Sequence, residues 1–186
     1  MSNQTDTWRI GETTLHSRFL LGTAGYPSPQ ALREAIHASG SQVLTLGLKR
    51  TLAVPGGGDN GFVQIIRDTA KDLGAHLLPN TAGCRSAREA INLAYMAREL
   101  LGTNWIKLEV VGDEQTLQPD PFELVEAARQ LIQDGFEVLP YCTDDLVSAQ
   151  RLVDAAWQLA ELAELAGCRR RSPCQYQRRP ALQRQP

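Results

Sequence analysis

The chain has 186 residues, a length expected for a single domain that buries a sizeable core. Hydrophobic residues make up 42% of the chain and charged residues 22%, so the composition is that of a globular protein rather than a disordered or fibrous one. The net charge of −2 conceals an asymmetry, because Gly167 to Pro186 contains six arginines and no acidic residue. The residues before this tail are therefore acidic as a group.

Membranes and nucleic acids are both disfavoured as partners. No apolar run approaches the ~18 residues that a membrane span requires, and the polar start, Met1 to Thr7, has no hydrophobic signal-peptide core. The arginine-rich tail lacks helical periodicity and has Tyr176 as its only aromatic residue. We therefore expect the tail to be disordered rather than to bind nucleic acid.

The cysteines and histidines do not form a metal-binding pattern. No two of the four cysteines are spaced as CxxC, and the three histidines are scattered along the chain. We therefore expect no metal site and no cofactor, and we expect reduced thiols in a cytoplasmic protein. The residues concerned are Cys84, Cys142, Cys168, Cys174, His16, His37 and His76.

Strand-like and helix-like segments alternate along the chain with a period of about 30 residues, which is typical of βα repeats. Ser28 followed by Pro29 predicts the start of a helix, and Gly40 predicts its end. The run Asp120-Pro121-Phe122-Glu123 predicts another helix start, with a capping aspartate. The apolar, β-rich runs are Arg18 to Leu21, Val43 to Leu48, His76 to Leu78, Trp105 to Val110 and Glu137 to Tyr141.

This alternation predicts an α/β fold, either an open doubly wound sheet or a (β/α) barrel. Strands that are separated by helices pair in parallel, and both architectures place their chemistry at the C-terminal ends of the strands. Glycine and polar residues cluster at the predicted ends of these strands. The segments are Leu21 to Gly25, Lys49-Arg50, Pro79 to Gly83, Lys107 to Glu109 and Tyr141 to Asp145.

One strand-like run, Trp105 to Val110, contains a lysine among apolar residues and a glutamate two residues later. Alternation places Trp105, Lys107 and Glu109 on one face of the strand. Apolar surroundings destabilise the charged form of a lysine, and a neutral amine can form a Schiff base with a carbonyl substrate. Glu109 could then shuttle protons. On this run alone, a half-buried edge strand with a polar face remains the simpler interpretation.

Other strand-end residues are weaker candidates. Lys49 is a rival Schiff-base lysine, but the adjacent Arg50 suggests a solvated basic end. Gly22-Thr23-Ala24-Gly25 is too short for a dinucleotide-binding pattern and indicates a βα turn. The run Pro55 to Gly61 indicates a mobile loop rather than a phosphate site. Cys142 indicates a small core or rim residue rather than a nucleophile.

Several motifs, taken in chain order, resemble thiazole synthase, the enzyme family that builds the thiazole ring of thiamine. They cover roughly residues 18–153, about three quarters of the chain. The matching segments are Ser17 to Thr23, Leu77 to Gly83, Gly102 to Val110, Leu117 to Pro121 and Gly135 to Tyr141.

The resemblance implies a (β/α)8 TIM barrel and a sulfur-transferring activity. The implied substrates are 1-deoxy-D-xylulose 5-phosphate, dehydroglycine, and sulfur carried as a thiocarboxylate on a ubiquitin-like protein. The implied partners are this sulfur-carrier protein and the dehydroglycine-producing enzyme, and the intact family forms homo-oligomers. Lys107 matches the Schiff-base lysine of the family, and Glu109 matches its active-site glutamate.

The resemblance stops after Val153-Asp154. A (β/α)8 barrel requires about 200 residues or more, whereas we count five βα units. Segments that hold the sugar phosphate in the family have no match, so the resemblance assigns no substrate-binding residue here. We therefore expect residues 1–154 to form the N-terminal part of a barrel, and residues 155–186 to form a divergent helix extension followed by an Arg/Pro-rich tail.

Such an abrupt change is what a frameshifted or prematurely ended reading frame would produce, and sequencing the locus would test this hypothesis. We expect the resulting incomplete barrel to be weakly active or inactive. The alternative function is a non-catalytic α/β module that binds a phosphorylated metabolite or the carrier protein. A more distant alternative is an aldolase-like Schiff-base enzyme.

Overall fold

A computed structural model describes residues 7–49 and 61–165 of the chain. The strands are β1 (Trp8–Ile10), β2 (Thr13–Leu15), β3 (Leu20–Gly22), β4 (Val43–Gly47), β5 (His76–Asn80), β6 (Trp105–Leu108) and β7 (Glu137–Pro140). The helices are α1 (Pro29–Ser39), α2 (Gly61–Leu73), α3 (Ala87–Leu101), α4 (Pro121–Gln133) and α5 (Leu146–Leu165).

Strands β3 to β7 form one parallel sheet in the order in which they occur along the chain. A doubly wound sheet would reverse its strand order at a switch point and carry helices on both faces. Here the order does not reverse, and Leu44 and Leu46 on one face of β4 pack against α1 to α4. The fold class is therefore confirmed as the barrel alternative, an incomplete (β/α) barrel.

The opposite face of the sheet is covered at its N-terminal end by a hairpin that the sequence did not predict. Strands β1 and β2 pair antiparallel, and their buried side chains Ile10 and Leu15 pack against Val43, Leu78 and Trp105. Each of the two strands has three residues, which is too short for an alternating apolar pattern. The hairpin closes the N-terminal end of this face, so its polar C-terminal end remains the accessible part.

The predicted helix starts are confirmed. The hydroxyl of Ser28 accepts a hydrogen bond from the backbone N–H of Ala31, and α1 ends at Gly40 in the left-handed conformation, with φ of 59°. The carboxylate of Asp120 accepts hydrogen bonds from the backbone N–H groups of Phe122 and Glu123. These caps satisfy helix-end donors locally, which is why the sequence pattern was sufficient to locate them.

Two predicted features lie outside the described residues: the loop Pro55 to Gly61, apart from Gly61, and the basic tail 167–186. The division of the chain at residue 154 remains a prediction, although α5 runs from Leu146 to Leu165 without a break. Among the described helices, none is long and apolar enough to cross a lipid bilayer.

The hairpin turn packs directly against Glu137 at the start of β7. Gly11, in the left-handed conformation with φ of 54°, lies so close that a Cβ there would stand 2.5 Å from Oε1 of Glu137. Burial raises the pKa of Glu137 above its usual 4.5, and the negative charge of Glu12 raises it further. Folding therefore favours the protonated form of this carboxyl group.

We expect Glu137→Gln to stabilise the chain at neutral pH. Because the pKa of Glu137 is higher in the folded state than in the unfolded state, its stabilising contribution is present below pH 4.5 and is lost as pH rises through the folded value. Glutamine keeps the shape of the protonated group and does not titrate. Urea unfolding at pH 4 and pH 7 should show a gain for the variant at pH 7 only, and an equal effect at both pH values would contradict this explanation.

Candidate active site

The C-terminal ends of the strands meet at one edge of the sheet, as predicted. Backbone hydrogen bonds join neighbouring strand ends there: Thr23 N–H donates to Thr45 O over 3.1 Å, and Tyr141 N–H donates to Leu108 O over 2.8 Å. Strand β6 lies between β5 and β7, so residues at its end have neighbours on both sides. This is the position of Lys107 and Glu109.

Lys107 and Glu109 form an ion pair, with 2.9 Å between Nζ of the lysine and Oε1 of the glutamate. Ile106 and Leu108 of β6 point into the helix-covered core, so Lys107 between them points to the other face, and Glu109, directly after the strand, lies on that face too. The lysine side chain is 39% exposed and the glutamate 16%. An amine that solvent can reach thus lies beside a carboxylate that is largely shielded.

The aromatic ring of Tyr141 flanks the lysine, with its centroid 5.7 Å from Nζ. Within β6, Trp105 precedes the lysine on the same face and is buried against the hairpin cluster. The lysine therefore follows the buried ring of Trp105 along the strand, and its side chain is partly exposed at the C-terminal edge of the sheet. This arrangement can hold an amine and a proton-transferring carboxylate next to a small carbonyl compound.

Thr81 is a buried residue of the site that the sequence did not single out. Its hydroxyl donates to the backbone carbonyl of Glu109 over 2.7 Å and accepts from the backbone N–H of the same residue over 2.8 Å. As a result β6 ends at Leu108, two residues earlier than predicted. The sequence signals for Thr81 were its position directly after β5 and its place in the family-like segment Leu77 to Gly83.

Lys49, the rival lysine, has a different environment. Its Nζ donates to the backbone carbonyl of Gly83 over 2.6 Å and lies 3.9 Å from Oε2 of Glu89. These contacts connect the segment after β4 to the loop before α3 and to the first turn of α3. The structure therefore places Lys49 at the same edge of the sheet as Lys107, but its ammonium group is bonded to the backbone carbonyl of Gly83.

The two described cysteines do not form a disulfide. Cys84 is buried, and burial raises the pKa of its thiol; Lys49 lowers that pKa, while Glu89 and Glu109 raise it. A thiol that stays protonated is a poor nucleophile. Cys142 is partly buried and packs against the main core, in agreement with the predicted core or rim position.

A groove of about 400 Å³ lies between α4 and α5. Its walls include Phe122 and Arg151, whose guanidinium carbon lies 6.0 Å from the centroid of the phenylalanine ring. No strand-end residue lines it. The groove is therefore separate from the Lys107 and Glu109 pair.

Comparison with known proteins agrees with this geometry. The family model described as "Thiazole biosynthesis protein ThiG" matches residues 9–163, which include every strand of the sheet, Lys107 and Glu109. The chain belongs to the ThiG family. The match begins and ends outside the range that the sequence motifs covered, and it includes most of α5.

Thiazole synthases are among the relatives of this ThiG-family chain. The enzyme of Coxiella burnetii (strain RSA 493 / Nine Mile phase I) is 55% identical over 148 residues, covering 80% of this chain and 55% of the relative. The enzyme of Variovorax paradoxus (strain S110) is 56% identical over 147 residues, covering 78% of this chain and 52% of the relative. The chain thus spans about half the length of the curated relatives it matches.

A solved structure, the BexX/CysO complex of Amycolatopsis orientalis, shares the fold of this ThiG-family chain. The superposition has a TM-score of 0.62 at 28% sequence identity and covers 80% of this chain and 58% of the other. The fold comparison therefore extends over much of the described sheet and its helices.

Proposed function

We propose that this chain carries the Schiff-base half of a thiazole synthase site, in which Lys107 is the nucleophile and Glu109 transfers protons. The observation that carries the proposal is the 2.9 Å pair of Lys107 Nζ and Glu109 Oε1 at the C-terminal edge of a parallel sheet. In (β/α) barrels this edge carries the chemistry. Membership of the ThiG family supplies the reaction class.

The first chemical step joins the lysine to a ketone. The Nζ lone pair of Lys107 attacks the carbonyl carbon of 1-deoxy-D-xylulose 5-phosphate and forms a carbinolamine, which loses one water to give an imine. Glu109 first takes a proton from the ammonium group of Lys107, which frees this lone pair, and later delivers that proton to the departing hydroxyl group; the proton that the nitrogen loses after the attack goes to the former carbonyl oxygen. The same carboxylate is placed to remove a proton from the carbon next to the imine, which is the tautomerisation step.

Sulfur transfer and cyclisation with dehydroglycine would follow, with sulfur supplied by the thiocarboxylate of a ubiquitin-like carrier. The similar solved structure is a complex named BexX/CysO. That a protein of this fold occurs in a complex supports the proposal that a second protein binds here. We further propose the dehydroglycine-producing enzyme as a partner, homo-oligomer formation as in the intact family, and a cytoplasmic location.

We also propose that residues 1–154 form barrel structure, that residues 155–186 are a divergent extension, and that the chain by itself turns over slowly. The support for low turnover is that the described sheet has five strands, whereas a complete (β/α)8 barrel has eight. Imine formation requires fewer groups than the complete reaction, so it is the step to test first.

The test is reductive trapping of the chain with 1-deoxy-D-xylulose 5-phosphate and cyanoborohydride. Hydride reduces the imine carbon to a stable secondary amine, so the chain gains the mass of the sugar phosphate minus one water plus two hydrogens. Peptide mapping should place the adduct on Lys107. A chain that gains no adduct, or gains it elsewhere, would contradict the proposal.

A further inference from the structure

Thr81 lies directly after β5 and faces the end of β6. Its side chain is fully buried, with no accessible surface. Its backbone N–H donates to the carbonyl of Lys107 over 3.2 Å, and this bond continues the parallel pairing in which Asn80 stands opposite Lys107. The regular backbone pairing with β6 thus extends to Thr81, one residue beyond the end of β5.

Beyond that point, a side chain replaces the sheet ladder. The hydroxyl of Thr81 donates to the carbonyl of Glu109 over 2.7 Å and accepts from its N–H over 2.8 Å. One hydroxyl can donate once and accept at the same time, so it satisfies both backbone groups of Glu109. A residue at position 81 without this donor and acceptor would leave the N–H and the carbonyl of Glu109 without these partners in a partly buried place.

The turn after Thr81 adds a further attachment to the same segment. Cys84 N–H donates to the carbonyl of Thr81 over 3.0 Å, which closes the turn. The carbonyl of Cys84 then accepts from Val111 N–H over 2.7 Å. Residues 81 to 84 therefore hold the backbone of residues 107 to 111 at Lys107, Glu109 and Val111.

This attachment fixes the part of the chain from which the Glu109 carboxylate reaches Lys107. Buried hydrogen bonds that are fully satisfied make a backbone rigid. The carboxylate is only 16% exposed, and its Oε1 lies 2.9 Å from Nζ of Lys107. A backbone displacement at Glu109 would change this distance directly.

We propose that Thr81 is a positioning residue, whose hydroxyl holds the Glu109 backbone so that the carboxylate is aligned with Lys107. The functional part of this inference rests on the proposed Schiff-base function. Thr81 does not contact the reacting atoms in this account, because both partners of its hydroxyl are backbone groups of Glu109.

Three variants separate positioning from general stability. Thr81→Val removes the hydroxyl and keeps the shape, whereas Thr81→Ser keeps the hydroxyl and removes a methyl group. Thr69→Val is the matched control, since Thr69 is also fully buried and its hydroxyl has no hydrogen-bond partner within the described part of the chain. If Thr81→Val fails to fold, Thr81→Ala removes the same hydroxyl without crowding.

The first readout is hydrogen exchange at the Glu109 amide, which needs neither substrate nor activity. In the unaltered chain this amide should be as protected as the amides within β6. In Thr81→Val the Glu109 amide should exchange roughly tenfold faster or more, because the backbone at Glu109 opens locally when the hydroxyl is absent. Thr81→Ser and Thr69→Val should retain the protection.

The second readout is the rate of reductive trapping as a function of sugar phosphate concentration. Misalignment near the reacting atoms can cost on the order of 100-fold in rate. We expect Thr81→Val to lower the maximal trapping rate by roughly 10-fold to 100-fold on that basis, with little change in the half-saturating concentration. Thr81→Ser and Thr69→Val should stay near the unaltered rate.

The outcomes are distinguishable. If the unaltered chain forms no adduct, the proposed function is wrong, and amide exchange alone then decides whether Thr81 holds Glu109. If the unaltered chain and Thr81→Val are trapped at equal maximal rates, the positioning role is overturned. It is also overturned if the Glu109 amide in the unaltered chain exchanges as fast as an exposed loop, or if serine fails to restore the lost rate.

Discussion

Lys107→Arg is expected to reduce the trapped adduct to background. Arginine keeps the positive charge and can still pair with Glu109, so the local electrostatics are largely retained. Its guanidinium stays protonated and offers no free amine lone pair, so it cannot attack a ketone or form an imine. The expected loss is therefore complete, and intact-mass measurement after cyanoborohydride treatment would show it.

Lys49→Arg is the matched control for that experiment. Lys49 lies at the same edge of the sheet, but its Nζ donates to Gly83 O, a contact that arginine can also make. We expect this variant to form the adduct at a rate near that of the unaltered chain. Loss of the adduct in Lys49→Arg with retention in Lys107→Arg would identify the rival lysine as the nucleophile.

Ile106→Ala is expected to destabilise the fold by about 2 to 5 kcal/mol. Ile106 is completely buried in β6 and belongs to the large core cluster that joins the sheet to α3 and α4. Alanine removes apolar contacts and leaves a cavity that close-packed neighbours fill only partly. Because domains of this kind are stable by about 5 to 15 kcal/mol, the loss is a large fraction of the total.

Ile106→Val provides the comparison at the same site, with an expected cost of about 0.5 to 1.5 kcal/mol. Urea unfolding measures both values from the shift of the midpoint at an unchanged slope. Since Ile106 and Lys107 point to opposite faces of β6, the valine variant should still form the adduct. Equal costs for alanine and valine would contradict a close-packed environment at this position.

Local sequence patterns predicted much of the fold because their causes are local. The caps at Ser28 and Asp120 involve donors within three residues, so a short motif was sufficient. The shared face of Lys107 and Glu109 was predicted from strand alternation alone. The repeated alternation of strands and helices predicted an α/β fold, the family resemblance implied the (β/α) barrel, and the strand order agrees with it.

Contacts between distant segments were not predictable in the same way. The hydroxyl of Thr81 bonds to a residue 28 positions away, and no local pattern distinguishes a threonine that does so from one in an ordinary turn. The β1–β2 hairpin was missed because two strands of three residues carry almost no periodic signal. The hairpin lies close to Glu137 because of how it packs against the sheet. The raised pKa of that carboxyl group depends on the same packing, since burial is its main cause.

The βα order, the face that Lys107 and Glu109 share and the family of the chain could all be predicted from the sequence, because each depends on nearest-neighbour geometry or on ordered motifs. The tertiary structure decided which groups restrain that pair. It placed Tyr141 beside the lysine, Thr81 on the backbone of Glu109, and Lys49 on the loop before α3. These contacts join separate strands, and only the packing of the sheet and its helices brings such groups within hydrogen-bonding distance.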